Sequence, residues 1–145
     1  MVNKINSLES AKEADKKGEL LQWTIDFLQG EGKNDTLAEH IKTLSPTIVV
    51  LKKFPLNRLK RIVGPEKEMM FTEEVELWEK RVASMVDSLK SGRSFPPLLV
   101  TDFWNSMDIA DGGHRFEALT RYGIDSYWTI FLFTNRESLE LIEPK

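Results

Sequence analysis

Two periods of apolar residues alternate along the chain, and together they predict the order of elements. Residues 1–17 are polar and charge-rich, the pattern of a loose helix or a frayed tail. Leu21, Ile25 and Leu28 then recur at helical spacing, with Trp23 and Phe27 widening the stripe, until Gly30 and Gly32 end it. Asp35 stands where it can cap a second helix carrying Leu37, Ile41 and Leu44 on one face. Ser45-Pro46 breaks that helix, and the β-branched run Thr47 to Leu51 predicts a strand. A basic run follows, with Lys52, Lys53, Arg58, Lys60 and Arg61, and Gly64-Pro65 marks a turn.

The strongest helical period covers 72–90, where Val75, Trp78, Val82, Met85 or Val86, and Leu89 recur at steps of three and four. Glu73, Glu74 and Glu76 suit the positive end of its dipole, and Gly92 is placed to end it. Phe95-Pro96-Pro97 leads into a short strand, Leu98 to Val100. Trp104-Asn105-Ser106 reads as a turn, with Met107 to Ala110 as the return strand. Asp111-Gly112-Gly113 then opens a helix that runs through Tyr122, with Phe116, Leu119 and Tyr122 as its stripe and Gly123 as its stop. Tyr127 to Phe133 is the last strand. The sequence contains no internal repeat. Helices, strand, helix, strand pair, helix and strand in this order predict a mixed α/β or α+β layer fold.

Composition narrows the chemistry. At 145 residues, with 41% hydrophobic and 30% charged residues, the chain has the length and core of one globular domain. A net charge of −3 argues against a whole surface built for nucleic acid, though the basic run leaves a local patch open. There is no cysteine, which excludes a disulfide framework, a thiol nucleophile and a thiolate zinc site. Two histidines, His40 and His114, cannot make a multi-histidine metal site, while a carboxylate site for magnesium stays open. The first residues lack the apolar core of a secretory signal, and no run reaches the roughly 18 apolar residues of a membrane span. A cytoplasmic protein without membrane contact is expected.

The informative segment runs from Asp108 to Gly123, DIADGGHRFEALTRYG. It reads as a strand, a double-glycine turn and the start of a helix. The first turn of a helix offers unpaired N–H groups and the positive end of its dipole. Gly112 and Gly113 let another group approach that backbone. Arg115 adds a fork for two phosphate oxygens, and His114 can donate to an anion or handle a proton. The set suits a phosphate group. Asp-Gly-Gly also serves as a plain turn with Asp111 as its N-cap.

Asp-Gly-Gly-His-Arg-Phe-Glu-Ala-Leu-Thr-Arg-Tyr-Gly resembles the signature of the ParB/sulfiredoxin superfamily, in which a strand leads into a Gly-x-(His/Arg)-Arg turn and a helix. The resemblance extends over roughly Ile48 to Phe133, through the strand at Ile48–Leu51, the helix at 72–90 and Pro96-Pro97-Leu-Leu-Val before the motif. It implies an α+β fold with a mixed sheet flanked by helices, residues 46–145, preceded by an N-terminal helical extension, residues 1–45. It also implies a nucleotide ligand, ATP, ADP or CTP with Mg²⁺, its phosphates held by Gly112, Gly113, His114 and Arg115, with Asp111 near the metal.

Members of the superfamily diverge from there. Sulfiredoxins place a cysteine directly before the His-Arg pair, where this chain has Gly113, so sulfinic-acid reduction is excluded. Chromosome-partitioning ParB proteins usually carry Arg-Arg at the position of His114-Arg115 and continue into a helix-turn-helix domain. The helix pair 18–29 and 35–44 offers a poor substitute, since DTLAEHIKTL carries one lysine and two acids. A nucleotide-gated module acting on DNA or a protein is the alternative on this branch. Free-serine kinases of ParB-like fold use an Asp-Gly-His-His-Arg turn and a glutamate as base. By that resemblance Glu66 or Glu68 would be the base and His114 the phosphate-side catalytic group of a small-molecule phosphotransferase or nucleotide hydrolase. Both glutamates also read as surface carboxylates beside a turn. Oligomeric state has no signature in the sequence. Of the four tryptophans, Trp23, Trp78 and Trp128 read as packed, and Trp104 as a turn residue folded onto its neighbours or free to stack on a partner.

Overall fold

The computed structural model describes residues 8–104 and 107–143, which place helices on both faces of one mixed sheet. Helices α1 (Leu8–Lys16), α2 (Leu20–Gln29) and α3 (Asp35–Leu44) come first. Strand β1 (Ile48–Pro55) is followed by three two-residue strands, β2 (Lys60–Arg61), β3 (Val63–Gly64) and β4 (Phe71–Thr72). Helix α4 (Val75–Lys90), strands β5 (Leu98–Thr101) and β6 (Asp108–Asp111), helix α5 (Gly113–Arg121) and strand β7 (Ser126–Phe133) follow.

The five-stranded sheet has the order β1-β7-β5-β6-β2, and β3 pairs with β4 in a separate ribbon. β7 lies antiparallel to β1 and parallel to β5; β6 lies antiparallel to β5 and parallel to β2. β5 and β7 are central and covered on both faces, which is why they read as unbroken apolar runs. Their alternation divides the core. Leu98, Val100, Phe131 and Phe133 pack with Trp78, Val82 and Leu119 of α4 and α5. Leu99, Ile130 and Leu132 pack with Leu28, Leu37 and Ile41 of the N-terminal helices. Each such side chain, removed fully from water, contributes about 1.5–3 kcal/mol. The chain is therefore α+β, and its N-terminal helical segment supplies the layer over one sheet face.

Several local expectations change. The N-cap of α3 is Asn34, not Asp35, and its side chain accepts from the Leu37 N–H at 3.2 Å. Helix α4 begins at Val75 rather than 72, and Val75 is 56% exposed, off the buried stripe. Tyr122 is likewise exposed, and Ala118 and Leu119 carry the packing of α5 instead. β1 reaches Pro55 because Lys52 and Lys53 continue its ladder opposite Thr129 and Trp128, so the basic run is split between strand and turn. β6 starts at Asp108, since Met107 sits in the left-handed region at φ +70°. Asn105 and Ser106 of the expected turn lie outside the described residues, as do residues 1–7 of the expected N-terminal helix or tail.

Candidate functional site

β6 ends at Asp111 and α5 begins at Gly113, so Gly112 alone makes the strand-to-helix turn, at φ +111°. A Cβ on Gly112 would lie 2.8 Å from Arg115 Nη2 and 3.0 Å from Leu98 Cδ2, so both backbone angle and space call for glycine. Gly113, the first residue of α5, is buried with Val63 beside it. The N-cap is Gly112 rather than Asp111. The Asp111 carboxylate is used elsewhere: Oδ1 accepts from Asn34 Nδ2 at 3.1 Å and Oδ2 from Arg115 Nη2 at 3.4 Å.

Arg115 is held from three sides. Its Nη2 also donates to the Pro97 carbonyl at 2.9 Å, and its guanidinium lies 5.6 Å from the Phe27 ring. The antiparallel β5–β6 pairing makes the first bond possible, because β5 begins next to where β6 ends. The Arg115 side chain is 12% exposed, and its Nε is buried with no partner. An unmet donor on a buried guanidinium is costly unless a ligand or water takes it.

His114 Nε2 lies 2.8 Å from Glu73 Oε1, and its ring centroid is 4.6 Å from that of buried Trp78. An ionised carboxylate only accepts, so Nε2 donates and Nδ1 is left for another partner. The Arg61 guanidinium packs on the same Trp78 ring at 4.7 Å. It donates to Glu66 Oε2 at 2.8 Å and to the Val63 carbonyl at 3.1 Å, and lies 3.7 Å from Glu117. The bond from Arg61 holds the Glu66 carboxyl below the usual carboxylate range, which weakens Glu66 as a proton acceptor. Glu68 is exposed in the loop before β4 and pairs with no described residue.

Asp111, Gly112, His114 and Arg115 line one cavity of about 360 Å³, together with Phe27 and Glu31. Glu66 and Glu68 are not among its lining residues, and Gly113 is turned toward Val63 instead. Four residues outside the set expected to hold phosphate or do chemistry take part. Glu73 engages His114 rather than the dipole of α4, Trp78 and Arg61 flank it, and Asn34 reaches Asp111 from α3. Among the described residues no cluster of three or more His, Asp or Glu could hold a metal ion. Each Asp111 oxygen accepts one hydrogen bond and keeps a further acceptor position. No described helix is long and apolar enough to cross a membrane.

No protein-family model matches the chain, and no curated protein matches it. Among solved structures it is similar to sulfiredoxin from Arabidopsis thaliana, with a TM-score of 0.44 and 19% identity over 63% of this chain and 93% of that one. It is also similar to a Pnob8-like ParB-N domain, with a TM-score of 0.43 and 14% identity over 66% of this chain and 35% of that one. The chain thus spans about a third of that ParB-N chain. At this level of likeness nothing of their activity is carried to this chain, whose function is read from its own residues.

Proposed function

We propose that the chain binds a nucleotide, ATP, ADP or CTP, with its phosphates in the cavity beside the first turn of α5. The observation that carries this is Arg115, a buried guanidinium fixed by the Pro97 carbonyl and Asp111, with its Nε unmet, beside a glycine turn that opens a helix. A phosphate oxygen supplies the missing acceptor, and the first N–H groups of α5 add the favourable end of its dipole. Magnesium arrives with the nucleotide, bound to its phosphates.

A catalytic role falls to His114, whose ring is oriented by Glu73 and leaves Nδ1 to exchange a proton with an acceptor hydroxyl or water. That makes the protein a small-molecule phosphotransferase or nucleotide hydrolase. One observation favours a non-enzymatic module instead. Met70, Phe71, Val75 and Leu77 are exposed on and beside the segment that carries Glu73, where a nucleotide-gated protein or DNA contact would form.

Calorimetry against ATP, ADP, CTP and GTP, with magnesium, tests the site. Arg115→Lys keeps the charge but loses the fork, and should weaken binding about tenfold or more, since bonds to charged groups contribute roughly 1.5–3 kcal/mol. Unchanged affinity in a folded Arg115→Lys protein overturns the assignment. Phosphate release that vanishes in His114→Ala would select the enzyme. A nucleotide-dependent partner affinity without turnover would select the module, and steep salt dependence would mark that partner as DNA.

A further inference from the structure

A second cavity, of about 330 Å³, lies between α3 and the strands beside the motif, and its lining contains no Lys, Arg, Asp or Glu. Its walls are apolar, with Leu37 from α3, Ile62 and Val63 from the β2–β3 region, and Ala110 from β6. Two large aromatic side chains border it while exposed, Trp104 at 44% and Phe71 at 53%. His40 stands 5.9 Å from the Trp104 ring at a tilt of 48°, which makes an aromatic corner. A single exposed apolar residue is ordinary at a protein surface. Two aromatic rings converging on one concave apolar floor describe a binding site.

We infer that this cavity binds an uncharged, planar aromatic molecule of one or two fused rings, stacked against Trp104 with its polar edge toward Asn34. The charge follows from the lining: an ion entering here would lose water and meet no counter-charge. The size follows from the volume, which is at the low end of the roughly 300–1,000 Å³ of small-molecule cavities. The shape follows from Trp104, whose face is a sequence-tolerant stacking platform. Polarity at one edge follows from Asn34. Its amide gives one N–H to Asp111 and its oxygen accepts from Leu37, leaving one donor and one acceptor position for a ligand. This site stands apart from the phosphate cavity, with the Asn34–Asp111 bond between the two, and does not depend on the phosphate assignment.

The test is an NMR titration of the full ¹⁵N-labelled chain with indole, with cyclohexanol as a non-planar control and inorganic pyrophosphate as an anion. Indole should shift the Trp104 Nε1–H and the Asn34 side-chain amide, and cyclohexanol should shift them far less. Trp104→Ala, at an exposed position, should weaken indole binding about tenfold when followed at Asn34, and Trp104→Phe should restore most of it. Absence of any response to millimolar indole, an equal response to cyclohexanol, or unchanged affinity in Trp104→Ala each overturns the inference. Pyrophosphate reads the other cavity: its failure to shift the first turn of α5 counts against the phosphate site and leaves the aromatic one standing.

Discussion

Replacing Gly112 with alanine isolates the close packing on which the candidate site depends. The backbone at Gly112 has φ +111°, a region that costs an L-residue about 1–2 kcal/mol. The added Cβ would also meet Arg115 Nη2 at 2.8 Å and Leu98 Cδ2 at 3.0 Å. The tip of a free arginine could swing away cheaply, but this one is buried and bonded to the Pro97 carbonyl, and Leu98 is fully buried at the start of β5. Forcing extra volume into such packing costs a further 1–3 kcal/mol or so, for a total of about 2–5 kcal/mol. Gly123 provides the control, because it shares a positive φ of +91° but nothing lies within 4 Å of its Cβ position. Gly123→Ala should therefore lose only the backbone part, about 1–2 kcal/mol. At about 3 °C per kcal/mol for a chain of this size, the melting temperature should fall by about 6–15 °C for Gly112→Ala and 3–6 °C for Gly123→Ala. Equilibrium urea unfolding followed by tryptophan fluorescence measures both. Equal losses, within about 0.5 kcal/mol, would refute the packing of Arg115 against the turn.

Three further outcomes are expected. Leu99→Ala should cost about 2–5 kcal/mol in urea unfolding, because Leu99 joins the sheet to the N-terminal helices; a loss under about 1 kcal/mol would mean those helices do not cover that face. Burial pushes the Asp102 carboxyl up, but bonds from the Thr134 and Asn135 N–H groups and the Ser138 and Thr134 hydroxyls outweigh it and hold the carboxyl below its ordinary value. Its stabilisation is present above about pH 4 and lost as pH falls through the folded value, so Asp102→Asn should flatten the acid limb of a stability–pH profile. Burial holds the Tyr127 phenol above its ordinary value while its hydroxyl joins the Phe95 N–H and carbonyl at 2.7 and 2.6 Å. That contribution is full below about pH 10 and lost as pH rises toward the folded value, and Tyr127→Phe should remove this alkaline loss while costing about 1–3 kcal/mol at neutral pH.

The elements legible in the sequence are those long enough to display a period. β7 and β5 read as apolar runs because each is covered on both faces, and α2 and α4 read from stripes that recur over about two turns or more. β2, β3 and β4 have two residues each, too few for any period, yet β3 and β4 bring Glu73 to His114. The choice of Asn34 over Asp35 as cap was equally hidden. Both residue types cap helices well, but only position 34 lets the side chain also reach Asp111, 77 residues away in sequence. The strand–glycine–helix turn itself was legible, since it depends on local geometry. The partners of its charged residues were not, because Pro97, Glu73 and Asn34 arrive through the strand order. Trp104 divides between its two expected states, touching His40 and Phe103 while leaving 44% of its surface exposed.

The same partners constrain how an anion could be held. Both side chains of the turn already face a carboxylate, His114 the one of Glu73 and Arg115 the one of Asp111, and Glu31 adds a further negative charge to the lining. The cavity therefore has no surplus positive charge to draw a phosphate from a distance. What it offers is direction: a guanidinium fixed by a backbone carbonyl with one N–H unmet, and the N–H groups at the start of a helix. Attraction of this kind acts within hydrogen-bond reach and is weakly screened, unlike the long-range pull of a basic surface. A phosphate bound at α5 should thus be sensitive to geometry and comparatively insensitive to salt. A lysine at position 115 would restore the charge without the fork, so charge alone should not rescue binding.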